Sequence, residues 1–232
     1  MADSYDIRKY KNPLFTVDSV LFTVKDADLK VLLVKRASDP FTGQWALPGG
    51  FIDIDIDHDA DMTALRKLKE KTNITPQYLE QLHTYSGVSR DPRGFSVTLV
   101  YFALVAEGNA SAHVATVDDV KWTSVRDLQD LPVAFDHKYI VEQARQRLKQ
   151  KALYSMVPVY CLPEYFTVGQ FKSVIETILG KTVQRKTIIR RIEATDMLEK
   201  MDEKVRSGGR FAQLYRVKPG VDIVNFERNL ST

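Results

Sequence analysis

Lys67, Glu70 and Lys71 are the side chains whose types and spacing speak most directly to chemistry. Offsets of three and four place them on one face of a helix, downstream of Gly49-Gly50 and beside Arg66. Three glutamates on such a face would make a single divalent-cation site, because magnesium takes oxygen ligands from carboxylates, waters and substrate phosphates. Two lysines reverse that. The formal charge of the face moves from about −3 to about +1, and a protonated lysine has no lone pair to give a metal. Metal-assisted attack of water on a diphosphate would lose its Lewis acid and its base together. The lysines then have two readings. They pair directly with a ligand's diphosphate, keeping binding without turnover, or they form a solvated face together with Lys69.

A second cationic group lies near the C-terminus. Thr167 with Gln170 three residues on is a capping box, and Val168, Phe171, Val174, Ile175 and Ile178 recur at helical spacing until Gly180. After the turn Lys181-Thr182-Val183, a helix over 184–195 carries Arg185, Lys186, Thr187, Arg190 and Arg191 before its first acid, Glu193. Ile188, Ile189 and Ile192 define one face, and Lys186, Thr187, Arg190 and Arg191 are assigned to the other. Helix, short turn and a helix with an apolar back and a cationic front form a helix-turn-helix reader of DNA. Strands over Met197–Lys204 and Phe211–Val217 flank Arg206-Ser207-Gly208-Gly209-Arg210, where the double glycine makes a hairpin tip and the arginines suit phosphate contact. The whole resembles a winged helix-turn-helix. A helical module docking a protein partner is the competing reading.

The elements that must position these groups are legible in outline. Thr16–Thr23 and Val31–Val34 are apolar, β-branched runs around a turn at Lys25–Asp28, which predicts a hairpin. Strands over Leu79–Val88 and Phe95–Ala106 flank the loop Arg90-Asp91-Pro92-Arg93-Gly94, and Val120–Trp122 and helices over about 124–129 and 136–150 follow. Mixed strands and helices suggest an α/β sandwich. Asp136 reads as an N-cap, and His137 beside it as structural. Asp53, Asp55 and Asp57 alternate with isoleucines, but a calcium loop would need Gly and Glu where His58 and Ala64 stand. The stretch reads as an acidic strand and loop leading into the helix, with a weak, exposed divalent-cation site as the alternative. Val157-Pro158-Val159-Tyr160-Cys161-Leu162-Pro163, with two prolines, reads as an extended linker. Domains of 1–155 and 156–232 are expected.

Composition narrows the class. A chain of 232 residues with 44% apolar content supports one ordinary domain and a small second one. The lone Cys161 excludes an internal disulfide and a cysteine-based zinc site and suits a small buried residue. With no apolar run near 18 residues and no cationic leader before an apolar segment, a soluble, cytoplasmic protein without a membrane partner is expected. The net charge of +3 is unevenly placed: residues 1–154 carry 20 basic and 21 acidic side chains, and 155–232 carry 13 and 9. The C-terminal third alone points to a polyanionic partner.

Trp45-Ala46-Leu47-Pro48-Gly49-Gly50 followed by a helix with Arg66 and Glu70 resembles the Nudix hydrolases. Their box reads Gly, five residues, Glu, seven residues, then Arg-Glu-apolar-any-Glu-Glu-any-Gly-apolar. Arg66, Leu68, Glu70 and Ile74 match. Lys67 and Lys71 replace glutamates, Asn73 replaces the glycine, His58 stands at the upstream glutamate position, and the Gly50–Arg66 stretch is about two residues longer than usual. A broken box followed by a winged helix resembles the Nudix-related transcriptional regulators of NAD metabolism. The resemblance implies a Nudix α/β/α sandwich that senses ADP-ribose or a related nucleotide, with no required cofactor, no metal site and no catalytic residue. It further implies a homodimer on a palindromic operator, released by the ligand to derepress NAD biosynthesis genes. The implied ligand residues are Arg36, Trp45, Gly49, Gly50, Lys67, Glu70, Lys71, Arg90 and Arg93. The implied DNA residues are Lys186, Thr187, Arg190 and Arg191 in the major groove and Arg206 and Arg210 on the backbone, with Arg185 also on the DNA-binding surface. Two rivals remain: an active ADP-ribose pyrophosphatase with an accessory domain, and a nucleotide-sensing adaptor that binds a protein.

Overall fold

The first layer is a mixed sheet whose central strand, β1 (Leu14–Lys25), is buried on both faces through Val17–Phe22, with Val17, Val20, Leu21 and Phe22 apolar and Asp18 and Ser19 the polar exceptions. In the computed structural model, which describes residues 9–106, 117–207 and 209–226, β1 turns at Asp26-Ala27 into β2 (Asp28–Arg36), the expected hairpin. Strands β3 (Trp45–Ala46) and β4 (Gly49–Phe51) pair with β2 and β1 respectively. Helix α1 (Ala60–Thr72) follows, then β5 (Tyr78–Gly87), β6 (Ser96–Leu104), β7 (Val117–Ser124) and helix α2 (His137–Tyr154). The seven-stranded sheet runs β3-β2-β1-β6-β5, with β4 on β1 and β7 on β2. Of its pairings, β1–β6 is parallel and the rest are antiparallel. Helix α1 packs Ala64 and Leu68 on one face, and α2 packs Ile140, Val141, Ala144 and Leu148 on the other. The result is an α/β/α sandwich. In place of the expected helix over 124–129 there is a single 3-10 turn, Asp127–Asp130.

The box helix forms for local reasons. Asp59 caps it by accepting from the Met62 amide, and Asn73 ends it in the left-handed conformation at φ 59°. Asn73 is thus well suited to the position where the box has glycine, because asparagine tolerates that region better than other non-glycine residues. The acidic stretch before it is a loop, not a strand.

The C-terminal part consists of β8 (Phe166–Thr167), α3 (Val168–Leu179), α4 (Arg185–Glu193), β9 (Leu198–Ser207) and β10 (Arg210–Val217). Its sheet order is β8-β10-β9. The capping box is present in full, with Thr167 Oγ1 accepting from the Gln170 amide and Gln170 Oε1 accepting from the Thr167 amide. Gly180 ends α3 at φ 68°. In the turn to α4, Glu176 accepts from the Val183 amide at 2.7 Å and from Lys172, which fixes how α4 leaves α3. Gly208 lies outside the described residues, and β9 meets β10 at Ser207 and Arg210.

The segment expected to be an extended linker is instead a 3-10 helix, Val157–Cys161, with Val157, Pro158, Val159 and Cys161 buried. Pro158 sits in the first helical turn, where a missing amide proton leaves nothing unsatisfied. A proline pair was therefore a poor guide to extension here. Burial pushes the Cys161 thiol up to about 12, which keeps it an inert core residue. One apolar cluster continues from the sandwich, with Phe102 and Leu148, through this helix into α3 and α4, with Phe171, Ile178 and Ile188. Beyond β10 the chain returns to the sandwich. Met156 donates to Val224 O, Phe226 donates to Tyr154 O, and Ile223, Val224 and Phe226 pack on the shared core.

Candidate functional site

A cleft of about 190 Å³ lies where β1, β2 and β4 meet the Arg90–Gly94 loop, with Lys71 of α1 and His137 of α2 both in its lining. Its lining includes Asp18, Arg36, Gly49, Gly50, Lys71, Arg90, Arg93, Phe135 and His137. Gly49 is there for a steric reason. A Cβ at that position would stand 2.1 Å from Asp18 Oδ1 and 2.4 Å from Val17 O, so β4 approaches β1 this closely only as glycine. Gly50, at φ 155°, faces the Lys67 side chain, whose Cε would lie 3.4 Å from an added Cβ.

The cleft floor is a buried polar set. Asp18 accepts from Thr98 Oγ1 at 2.6 Å and lies 4.0 Å from His137 Nε2. His137 Nδ1 accepts from the Leu47 amide at 2.9 Å, so the neutral ring carries its proton on Nε2. Burial holds the His137 pKa below its ordinary value despite Asp18 and Asp136 nearby. Lys71 is also pulled below its ordinary value, first by burial and then by Lys67 and Arg36, with Asp18 opposing. Arg36 donates to Pro40 O at 2.7 Å and Ser38 O at 3.1 Å, and lies over the Phe135 ring at 5.1 Å. Among the described residues no carboxylate lies within ion-pair distance of it; burial and Arg93 lower its pKa while the more distant Asp91, Asp18 and Asp39 oppose them.

Arg90 and Arg93 also line the cleft, but each already has a carboxylate. Arg90 forms a two-point pair with Asp136, 2.8 and 3.1 Å, and also donates to Ser96. Arg93 pairs with Asp91 at 2.7 Å and lies over Phe51. Asp136 therefore serves as the Arg90 partner and makes no side-chain cap for α2, which corrects the N-cap expectation. Trp45 also needs correcting as a ligand residue. It lies in the core at 9% exposure, clamped between Pro132 and Ala134 by backbone bonds, with Lys121 over its ring at 4.1 Å. Lys67 and Glu70 stand outside the lining, Lys67 next to Gly50 and paired to Glu70 at 3.5 Å.

The box helix does not fit a divalent cation. Glu70, the carboxylate left on its metal face, accepts from Arg66 at 2.9 Å, and Arg66 and Lys67 hold it ionised against the penalty of burial. Arg66 is held by Asp57 as well, Nε to Oδ1 at 2.6 Å, and that bond holds the Asp57 carboxyl well below the usual range. Both oxygens of Glu70 and both of Asp57 thus face a cation of the protein. Among the described residues, no three His, Cys, Asp or Glu side chains form a metal-holding group.

Sequence reasoning missed Asp18, Asp57 and Phe135. Asp18 carried a signal, an acid in the middle of an apolar strand. Asp57 was read only as part of an acidic run. Phe135 adopts φ 58°, a conformation bulky residues rarely take, and no feature of its type announced that.

The second candidate surface is α4 with the hairpin β9–β10. Arg185, Lys186, Thr187 and Arg190 are exposed, while Ile188 and Ile192 are buried. No acid stands in the first turn of α4, and two cations do, opposite to what the helix dipole favours unless an anion is to approach. Arg206 and Arg210 are exposed on either side of the hairpin tip. Arg191 does not join this front. Its guanidinium donates to Ala152 O at 2.7 Å and Leu153 O at 2.9 Å and lies over Phe226 at 5.4 Å. At about 100° per residue, Arg191 lies about 60° from Ile188 and about 100° from Arg190. It flanks the buried seam, and its assignment to the DNA face is corrected.

A sandwich with a cationic cleft, joined through a common core to a winged helix-turn-helix, defines a two-domain protein that pairs a small-anion pocket with a nucleic-acid-binding module. Residues 15–144 match the NUDIX domain and residues 158–217 the NrtR DNA-binding winged helix domain. The chain is 37% identical over 226 residues to the ADPR responsive transcriptional repressor NtrR of Acinetobacter baylyi, covering 97% of this chain and 90% of that protein. The crystal structure of Shewanella oneidensis NrtR complexed with a 27mer DNA is similar at TM-score 0.83 and 50% identity, over 89% of this chain and 94% of that one. The NUDIX domain of the same protein in complex with ADP ribose is similar at TM-score 0.61 and 51% identity, over 62% and 94%. The chain belongs to the NrtR family of Nudix proteins.

Proposed function

We propose that this protein is a repressor of NAD biosynthesis genes, a homodimer that binds operator DNA through its winged helix and is released by ADP-ribose in the Nudix cleft. The observation that carries the reading is the exposed, acid-free cationic front of α4 on the same chain as an anion cleft. Arg185, Lys186, Thr187 and Arg190 enter the major groove, where arginine and lysine recognise guanine edges, and Arg206 and Arg210 take phosphates. Arg36, Lys71 and the Gly49-Gly50 backbone receive the diphosphate, with Arg93 at the rim. Arg36 is the strongest candidate, because it is the cleft arginine without a carboxylate partner among the described residues. The sensing unit extends to about residue 155 and the DNA-binding unit from there to the end. Such a repressor works where the DNA is, in the cytoplasm; among the described residues no helix is long and apolar enough to cross a membrane.

Hydrolysis of the ligand is not part of the function. The box face offers a metal no free carboxylate, so ADP-ribose is read and released intact. The rival pyrophosphatase reading and this one part in a single titration. Labelled DNA from upstream of NAD biosynthesis genes is bound by the protein and titrated with ADP-ribose, while the same tube is sampled for AMP. Tight binding relieved by ADP-ribose without AMP is the expected result. Absence of DNA binding with AMP appearing would return the chain to the hydrolases.

A further inference from the structure

We infer that Arg191 is a positioning residue, clamping the recognition helix α4 to the far end of the helix whose near end lines the ligand cleft. Helix α2 has 18 residues and spans about 27 Å. At its start, Asp136 holds Arg90 in a two-point pair, and His137 lies in the cleft wall. At its end, Lys151 O receives the amide and hydroxyl of the C-cap Ser155, and the next three carbonyls, which have no helical partner, are taken from outside the helix. Ala152 O and Leu153 O receive the two terminal nitrogens of Arg191, and Tyr154 O receives the Phe226 amide. The acceptors on α2 are therefore closed by the recognition helix and the returning C-terminal segment together.

The chemistry of the clamp is specific. A guanidinium presents two parallel donors in a fixed fork, which suits two successive carbonyls, and its charge faces the negative end of α2. The Phe226 ring covers the guanidinium. Between the ends, Ile140, Val141, Ala144, Leu148 and Ala152 are all at 0% exposure, so α2 has little room to bend and moves as one body. A shift of its start that accompanies ligand binding reaches α4 through Arg191. The inference rests on the repressor reading and names the link between its two sites.

The test uses the full chain with Arg191→Ala and Arg191→Lys. Operator affinity is measured with and without saturating ADP-ribose, over a range of salt. Lysine keeps the charge but loses the fork, so both variants should lower the ratio of the two affinities roughly fivefold or more, with the salt slope unchanged. A slope reduced by about 1 in the alanine variant would make Arg191 a phosphate contact and overturn the clamp. So would an unchanged ratio in the lysine variant. Hydrogen exchange without DNA supplies an independent readout, and it decides the matter even if the wild type ignores operators and the repressor reading fails. In Arg191→Lys the amides of α4 should exchange faster while those of α1 do not. Unchanged protection of α4 would overturn the proposal, and should the alanine variant fail to fold, the lysine variant carries both measurements.

Discussion

His137 has a structural job that its own protonation would undo. Its Nδ1 must stay unprotonated to accept from the Leu47 amide, which sets the chain entering Gly49-Gly50. Protonation would cost that bond and bury a charge, and burial accordingly holds the pKa below the ordinary value near 6.5. The unfolded chain takes up this proton at about 6.5, and the folded chain does so only at lower pH. Stability from this group is complete above about pH 6.5 and declines as the pH falls through 6.5 toward the folded value, by at most about 1.4 kcal/mol per unit. Urea denaturation at pH 7.5, 6.5 and 5.5 should show the decline. His137→Asn, whose amide oxygen can take the place of Nδ1 without titrating, should flatten it; an equally steep fall in that variant would assign the effect elsewhere. His137 could be read in the sequence as structural, yet its partners could not, because Leu47 lies 90 residues away. The partners of Asp18 were hidden for the same reason, although an acid inside an apolar strand marked the residue itself. Its role follows from Gly49, Thr98 and Lys71, which only the fold brings together.

Among elements, α4 and α3 do different work, and substitutions should separate them. Arg190 is an exposed side chain of the cationic front of α4. Arg190→Ala should weaken operator binding by about 1–3 kcal/mol and relax specificity at the base pair it reads, whereas a log–log salt slope lower by about 1 with specificity intact would place it on a phosphate. Thr167→Ala removes the α3 cap and should cost about 1 kcal/mol of folding stability while leaving the slope alone. A stability loss with unchanged binding at Arg190 would move the DNA face elsewhere on the hairpin. The two helices also show what a sequence reveals. The capping box, Gly180 and the apolar spacing of α3 are local signals, and they located the element within a residue or so. Which arginine of the adjacent pair 190 and 191 faces out depends on what packs beside α4, and that neighbour is the end of α2. The same limit applies to Val157–Cys161, where local proline rules indicated extension and burial against the sandwich selected a 3-10 helix. Trp45 fits this pattern too: adjacency in sequence to the glycines placed it in the cleft, whereas alternation along β3 turns it into the core.

At the scale of the whole molecule, one apolar cluster runs from the sandwich into the winged helix, so the two units are not beads on a flexible linker. In such a body a ligand acts on DNA binding only through a difference in its affinity for two arrangements of the chain. That requirement carries a consequence testable without knowing either arrangement. The factor by which saturating ADP-ribose weakens operator binding must equal the factor by which saturating operator weakens ADP-ribose binding. Both are measurable, one by fluorescence anisotropy of labelled operator and the other by calorimetry of ADP-ribose with and without the duplex. Equal factors, in the range of about 5 to 150 common for such coupling, are the expected outcome. The equality also bears on the broken box. Reciprocity holds for binding equilibria and not for a ligand consumed during the measurement, so a hydrolysing Nudix site would give an apparent loss of ADP-ribose effect with time and two factors that disagree. The proposed reading of ADP-ribose as a ligand released intact predicts that the factors agree and stay constant over hours.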